Sequence, residues 1–516
     1  MRPAHGDLRP ADGESALRIR RILRVAAAAK NSRLVACTRR SCSVSRFVFF
    51  SAWLALLPGA VHAELPATVA EALKQAGIPD SHVGILVQDV GNPVPLLAHG
   101  ENQAMNPASV MKLVTTLVAL DSLGPSHTFK TRVFVDGPLL DGVLQGNLIF
   151  QGGGDPALTL ERFWLLLREV RERGVRDIRG DVLLDTCYYQ LDPIDPAAFD
   201  QAPLRPYNAS PYPLLVNFNT SNLRLSPAPP GGANEVSVRL ELEPTKALPG
   251  VVNRLQISDA PCNGWREKLT TQIENGSLVL SGAYPSACGD QSLPLNLLSP
   301  EASVAAAFSS LWKGMGGLHA GKVVTSPAEA GFAQSYPRLL LEFESPPLAQ
   351  LVRDINKYSN NVMAKMLFLN LGAIRYEAPA NWEKGQRALR AWLTDRGFDI
   401  PELVLENGSG LSRVERISAS ALARLLDYAA ARPAYYEFAA SLPAVGLEGT
   451  QKGRMNGTPA AGRAWLKSGS LNGARNQAGY LLGPQGHRRI LVMMINHANA
   501  VAGAKAQAAL LEWALQ

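Results

Sequence analysis

The chain has 516 residues, too many for one simple core, so two or three domains are expected. Its composition, 47% hydrophobic and 18% charged, is that of a folded globular protein and excludes a disordered one. The formal charge of +7 invites a nucleic-acid partner, but residues 1–63 hold eleven Lys and Arg against three acids. The remaining residues carry 40 bases against 41 acids, which excludes a basic nucleic-acid-binding body.

Residues 1–63 read as a leader and signal peptide. Arg46 precedes the apolar run Phe47–Leu57, and Val61-His-Ala63 forms a small-x-small cleavage site before Glu64. The run is shorter than the ~20 residues that span a bilayer. The expectation is an exported, periplasmic protein cleaved near Ala63, with room for peripheral membrane association. Residues 1–45 are long and Arg-rich for such a signal, which fits translation starting later, near Val44.

After the leader, residues 66–76 read as a helix, Val83–Val90 and Val94–His99 as strands around a Gly91-Asn-Pro turn. Next comes Asn106-Pro-Ala-Ser-Val-Met-Lys-Leu-Val-Thr-Thr116, the opening of a helix apolar on nearly every side. Pro107 suits its first turn, and Gly124-Pro125 stops it. Ser109 and Lys112 lie three apart on one face, a weak nucleophile beside a lysine that burial can keep neutral enough to take its proton. The Gly152-Gly-Gly-Asp155 cluster lacks the Gly-Lys-Ser/Thr of a phosphate cradle and reads as a turn.

Helices at 160–173 and 301–315 each lead through a glycine turn into a strand. These two copies of one pattern are expected to be neighbours in one inserted α/β domain, residues 136–205 and 292–335. A second, β-rich insertion, 206–291, is nested within it. Cys37 and Cys42 belong to the leader. Of the other three cysteines, Cys262 and Cys288 flank a hairpin-like region, Trp265–Tyr284, so that pair is favoured for a disulfide, leaving Cys187 free and buried. No Cys–His spacing suggests a metal site.

The catalytic body is expected from residues 64–135 and 336–516. Within it a helix from 348 is interrupted by Ser359-Asn360-Asn361, which presents a hydroxyl and a carboxamide together. Strands near Ala464–Leu471, Gln477–Leu482 and Arg489–Asn496 precede an Ala-rich helix at 501–515. The first contains Lys467-Ser-Gly-Ser470: a cation, two hydroxyls at Ser468 and Ser470, and a glycine that lets a substrate approach the backbone.

S-x-x-K, S-x-N and K-[S/T]-G, in that order, form the signature of β-lactamases and penicillin-binding proteins. The 250 residues from Ser109 to Ser359 exceed what a β-lactamase needs. The sequence resembles the class C (type-4-like) penicillin-binding proteins, the D-alanyl-D-alanine carboxypeptidase/endopeptidases of serine peptidase family S13, over essentially all of 66–515. Further resemblance lies in Gly146–Pro156, Gly180–Asp185, Asn356–Asn361, Asn407–Arg413 and Leu442–Thr450. The third motif departs from the usual K-T-G-T, keeping each hydroxyl and losing a methyl. Lys365 stands where the family often has an acid.

The resemblance implies a β-lactamase/transpeptidase-like α/β fold, an antiparallel sheet with flanking helices, interrupted by the two nested insertions. It implies an acyl-enzyme on Ser109 with Lys112 as base, Ser359 relaying the proton and Asn361 orienting the peptide. Lys467, Ser468 and Ser470 would bind the terminal carboxylate, and the Ser109 and Ser470 N–H groups the oxyanion. Partners would be peptidoglycan stem peptides and, as covalent inhibitors, β-lactams; no cofactor is expected. Two alternatives stay open: a non-catalytic wall-binding homologue, and a β-lactamase, for which the second motif offers Ser359 where such an enzyme uses a tyrosine.

Overall fold

A five-stranded antiparallel sheet built from both chain ends carries the site. Its order is Ala464–Leu471, Ala474–Leu482, Arg488–Asn496, Val83–Asp89 and Leu97–His99. The computed structural model describes residues 64–227, 236–240, 249–326 and 337–516. The leader, its cleavage site, Cys37 and Cys42 lie outside the described residues.

Alternation explains why this sheet is covered on both faces. In the strand Arg488–Asn496, Ile490, Val492 and Met494 enter one core, while Leu491, Met493 and Ile495 enter another. Six consecutive apolar residues are the pattern of a strand buried on both sides, each side chain contributing about 1.5–3 kcal/mol. Helices Ala67–Gln75 and Ala504–Ala514 cover one face and pack on each other. Against the other lie Lys112–Leu123, Leu348–Tyr358, Asn361–Tyr376 and Ala419–Ala430. This is the expected fold class. The second strand is shorter than expected, Leu97–His99, because Pro93 and Pro95 withhold ladder N–H groups.

The two helix–turn–strand copies are neighbours. Asp177–Ile178 pairs in parallel with Leu318–His319, and Val182–Asp185 with Val323–Ser326, while helices Leu160–Glu172 and Pro300–Gly314 touch. Val182–Asp185 and Val323–Ser326 lie in a five-stranded sheet that continues through Leu148–Gln151 to Lys130–Val135 and Arg338–Glu344, the last two paired antiparallel, while Asp177–Ile178 and Leu318–His319 belong to a separate four-stranded sheet. Expected boundaries at 135 and 336 had left both strands with the catalytic body. Each alternates like any half-buried strand, and nothing local names its partner.

The stretch expected as the nested insertion, 206–291, holds two three-stranded sheets around a core that includes Leu223, Leu280 and Tyr284; one sheet is completed by Gln291–Leu295, with Leu293 in the same core, beyond the expected boundary at 291. Leu269–Glu274 and Ser277–Pro285 form the hairpin, and Cys262 is disulfide-bonded to Cys288 across it. Cys187 is free, but only half-buried rather than buried, because it sits in the turn after Val182–Asp185.

Candidate active site

The serine turn is pinned from three sides before its helix begins. The Asn106 backbone N–H donates to Asn496 Oδ1 at 2.6 Å, and its carbonyl accepts from the Asn476 and Asn496 side-chain amides. Its own side chain accepts from Ala108 N–H and donates to Ser412 O, both at 2.9 Å. The first turn, Ala108–Met111, is a 3₁₀ turn, and the α-helix starts only at Lys112. Ala108 has φ +47°, a left-handed conformation costing on the order of 1–3 kcal/mol for a non-glycine residue. Ser109, next to it, is half-buried.

Gly469 serves this turn differently from the expectation. A Cβ there would lie 2.6 Å from Pro107 O and 3.0 Å from Ser109 N, so its missing side chain admits the serine turn itself. The third-motif strand thereby runs against the nucleophile.

Lys112 is fully buried. Its Nζ lies 3.0 Å from Ser109 Oγ and 2.5 Å from Asn361 Oδ1, and it also donates to Ser409 O. A neutral amine has two N–H bonds and one lone pair. The two carbonyl-type acceptors take the N–H bonds, which aims the lone pair at the serine hydroxyl. Burial first, then the Lys467 and Lys365 ammoniums, push Lys112 well below the usual lysine range, against the pull of Glu415.

Ser359 is the left-handed C-terminal residue of helix Leu348–Tyr358, φ +58°, and Asn360 caps the next helix through Met363 N–H. The chain reverses in one residue, placing Ser359 and Asn361 side by side. Lys467 Nζ donates to Ser359 Oγ at 2.9 Å and to Ser468 O at 2.8 Å. Lys467 is not a solvated edge lysine; it is fully buried, pushed down to about 7 by burial and then by Arg454.

Ser468 Oγ pairs with Thr450 Oγ1 at 3.0 Å. Strand alternation orients the backbone here. Val445 N–H bonds Ala464 O and Leu466 N–H bonds Pro443 O, so these residues turn their peptide groups away from the neighbouring strand. By the same alternation Ser468 and Ser470 do so too, at the open edge. Ser470 itself is exposed.

Beneath the site, Glu415 is completely buried. Its Oε1 accepts the N–H groups of Glu406, Asn407 and Gly408 at 3.1, 3.0 and 2.9 Å. That grip shapes the loop whose Ser409 carbonyl reaches Lys112 and whose Gly408 carbonyl takes Thr115 Oγ1 at 2.6 Å. Gly410, φ +78°, is required there, since a Cβ would fall 1.8 Å from Ala108 O. Lys365 is also buried, brought down to about 8 by burial against the pull of Glu406 and Glu415. Sequence reasoning did not single out Glu415 or the Ser409 carbonyl. Asn407–Arg413 entered only as a stretch of family resemblance, and a backbone acceptor has no residue signature.

The structure therefore draws Ser109, Lys112, Ser359, Asn361, Lys467, Ser468 and Gly469 into one hydrogen-bonded and packed cluster, with Ser470 at its open rim. Cys262 and Cys288 belong to the nested region. A cleft of about 570 Å³ is lined in part by Ser359 and Asn361, and another of about 560 Å³ by Lys365 and Asn407.

Residues 65–516 match the D-Ala-D-Ala carboxypeptidase 3 (S13) family. The chain is 27% identical over 463 residues to a D-alanyl-D-alanine carboxypeptidase of Actinomadura sp. strain R39, covering 86% of this chain and 83% of that one. It is 25% identical over 419 residues to the D-alanyl-D-alanine carboxypeptidase DacB of Haemophilus influenzae, covering 81% and 85%. The crystal structure of penicillin-binding protein 4 from H. influenzae superposes with a TM-score of 0.69 at 23% identity, over 86% of this chain and 99% of that one.

Proposed function

The chain belongs to the D-Ala-D-Ala carboxypeptidase 3 (S13) family of serine peptidases, and from that premise we propose that Ser109 cleaves the D-Ala-D-Ala bond of peptidoglycan stem peptides and D-alanyl cross-links. Ser109 Oγ attacks the D-alanyl carbonyl as its proton passes to Lys112. The Ser109 and Ser470 N–H groups face the developing oxyanion. Ser359, held by Lys467, relays the proton taken up by Lys112 to the leaving amine as the C–N bond breaks, which returns Lys112 to its neutral form. Asn361 orients the peptide, and Lys467, Ser468 and Ser470 receive the terminal carboxylate. Water then releases the acyl group.

The observation that carries this reading is the contact of Lys112 Nζ with Ser109 Oγ, Asn361 Oδ1 and Ser409 O in a fully buried setting. A wall-binding homologue without catalysis would have no use for a desolvated lysine beside a half-exposed serine. A β-lactam, whose strained amide imitates D-Ala-D-Ala, is expected to acylate Ser109 and stay.

Among the described residues no helix is long and apolar enough to cross a membrane. Export to the periplasm, with cleavage near Ala63, fits the substrate and rests on the leader sequence.

Intact mass of the mature protein with and without benzylpenicillin, beside Ser109→Ala, tests the assignment. A stable adduct on the wild type alone supports it, with D-alanine released from a pentapeptide. No adduct, or an adduct on both proteins, overturns it.

A further inference from the structure

We propose that the cleft of about 570 Å³ between the Ser359 turn and the nested β-rich region holds the departing stem peptide of a cross-link, with Arg205 and Arg266 receiving its carboxylates. This rests on Ser109 being the acylated nucleophile.

Position comes first. The cleft is bounded at one end by Tyr358, Ser359 and Asn361, and neither Ser109 nor Lys467 lines it. It is lined by Ser359, the residue assigned to protonate the leaving amine, so a departing group has this space beside it. In a carboxypeptidase cycle that group is one D-alanine, far too small for a space of this size. In a cross-link it is the side-chain amine of a second stem, and a branched peptide fills such a space.

Chemistry agrees. Arg205 precedes the turn Pro206–Asn208, and Arg266 lies on the turn Trp265–Lys268 of the nested region. Both are exposed, and neither forms an ion pair among the described residues. Arg266 is held by Ser292 O at 3.2 Å and by the Trp265 ring, 5.2 Å from its centroid, which orders it before any ligand arrives. Glu267 also lines the cleft, leaving a net positive wall. Phe218 and Tyr358, the latter 65% exposed, supply apolar surface for the peptide stem. Stem peptides carry several carboxylates, and a guanidinium takes each through paired N–H donors. Bond changes stay those of the acyl-enzyme route: Ser109 Oγ bonds the D-alanyl carbon, the C–N bond to the second stem breaks, and the freed amine keeps the relayed proton.

The test compares a cross-linked muropeptide dimer, a monomeric pentapeptide and benzylpenicillin on the full mature enzyme. The Arg205→Ala/Arg266→Ala pair is expected to lower kcat/KM for the dimer by about ten- to a hundredfold. Pentapeptide cleavage and penicillin acylation should hold. Independently of folding, wild type should cleave a dimer amidated on its departing-stem carboxylates, other than the one beside the cleaved amide, as poorly as the double variant cleaves the native dimer. Equal rates on native and amidated dimers, or equal losses on dimer and pentapeptide, overturn the proposal. Absence of a penicillin adduct on the wild type overturns instead the Ser109 reading beneath it.

Discussion

Lys112 Nζ and Asn361 Oδ1 lie 2.5 Å apart, although 249 residues separate them in sequence. The carboxamide occupies one N–H of the amine and fixes the direction in which its lone pair points. Replacing Asn361 by Ala leaves that buried N–H without an acceptor and lets the amine swing. Benzylpenicillin acylation is expected to slow by roughly a hundredfold, the scale of losing one aligned polar group at a reacting centre. Stopped-flow acylation of Asn361→Ala checks this; a rate within threefold of wild type contradicts it.

Gly469 offers a packing test. A methyl there meets Pro107 O and the N–H groups of Ser109 and Val110, all backbone atoms that cannot rotate aside. Gly469→Ala should cost about 1–3 kcal/mol and push the serine turn off the strand. Lower thermal stability together with lost acylation is the expected pair of results. Gly314→Ala, where a Cβ meets nothing within 4 Å in a helical setting, is the control and should be neutral or slightly stabilising.

These contacts mark where sequence reading ends. Ser109 and Lys112 are legible because a three-residue step on a helical turn puts them on one face, and Ser359 and Asn361 because a polar triplet breaks an apolar helix. The parallel helix–strand copies are legible because a repeated pattern tends to pair with itself, as Val182–Asp185 does with Val323–Ser326. Lys467 is not legible as buried, since a lysine on an edge strand normally reaches water; only its complete burial and its bond to Ser359 in the fold show otherwise. Glu415 is still less so. Its three partners are backbone N–H groups, which every residue carries, so no pattern of side chains announces the grip.

The disulfide should matter to the nested region and not to the nucleophile. Cys262 and Cys288 are 26 residues apart and join the rim of a small core with no other covalent tie among the described residues. Closing a loop of this length contributes about 2–4 kcal/mol. The Cys262→Ser/Cys288→Ser pair is therefore expected to open residues 249–295 to limited proteolysis while penicillin still labels Ser109. Loss of labelling with intact proteolytic resistance would contradict this division.

The charges around Lys112 predict opposite pH shifts from two substitutions. Three charged groups face it: Lys467 from the third-motif strand, Lys365 from the helix Asn361–Tyr376, and Glu415 from the loop after Arg413. Lys112 must be neutral to accept the Ser109 proton, so acylation rises with pH through the pKa of Lys112. Glu415 favours the ammonium and raises that pKa; Lys365 disfavours it and lowers it. Glu415→Gln keeps an oxygen for the three backbone N–H groups and removes only the charge, so the acid limb of the acylation profile should move to lower pH. Lys365→Met removes a like charge of similar bulk, and the limb should move to higher pH. The shifts are expected to be on the order of half to one pH unit each, given buried but non-contacting charges. Because Lys365 itself titrates near 8, its effect should fade above that pH, while the Glu415 effect persists. Rates of benzylpenicillin acylation between pH 5 and 9 measure both. Two shifts of the same sign would mean the substitutions act by loosening the loop rather than through charge on Lys112.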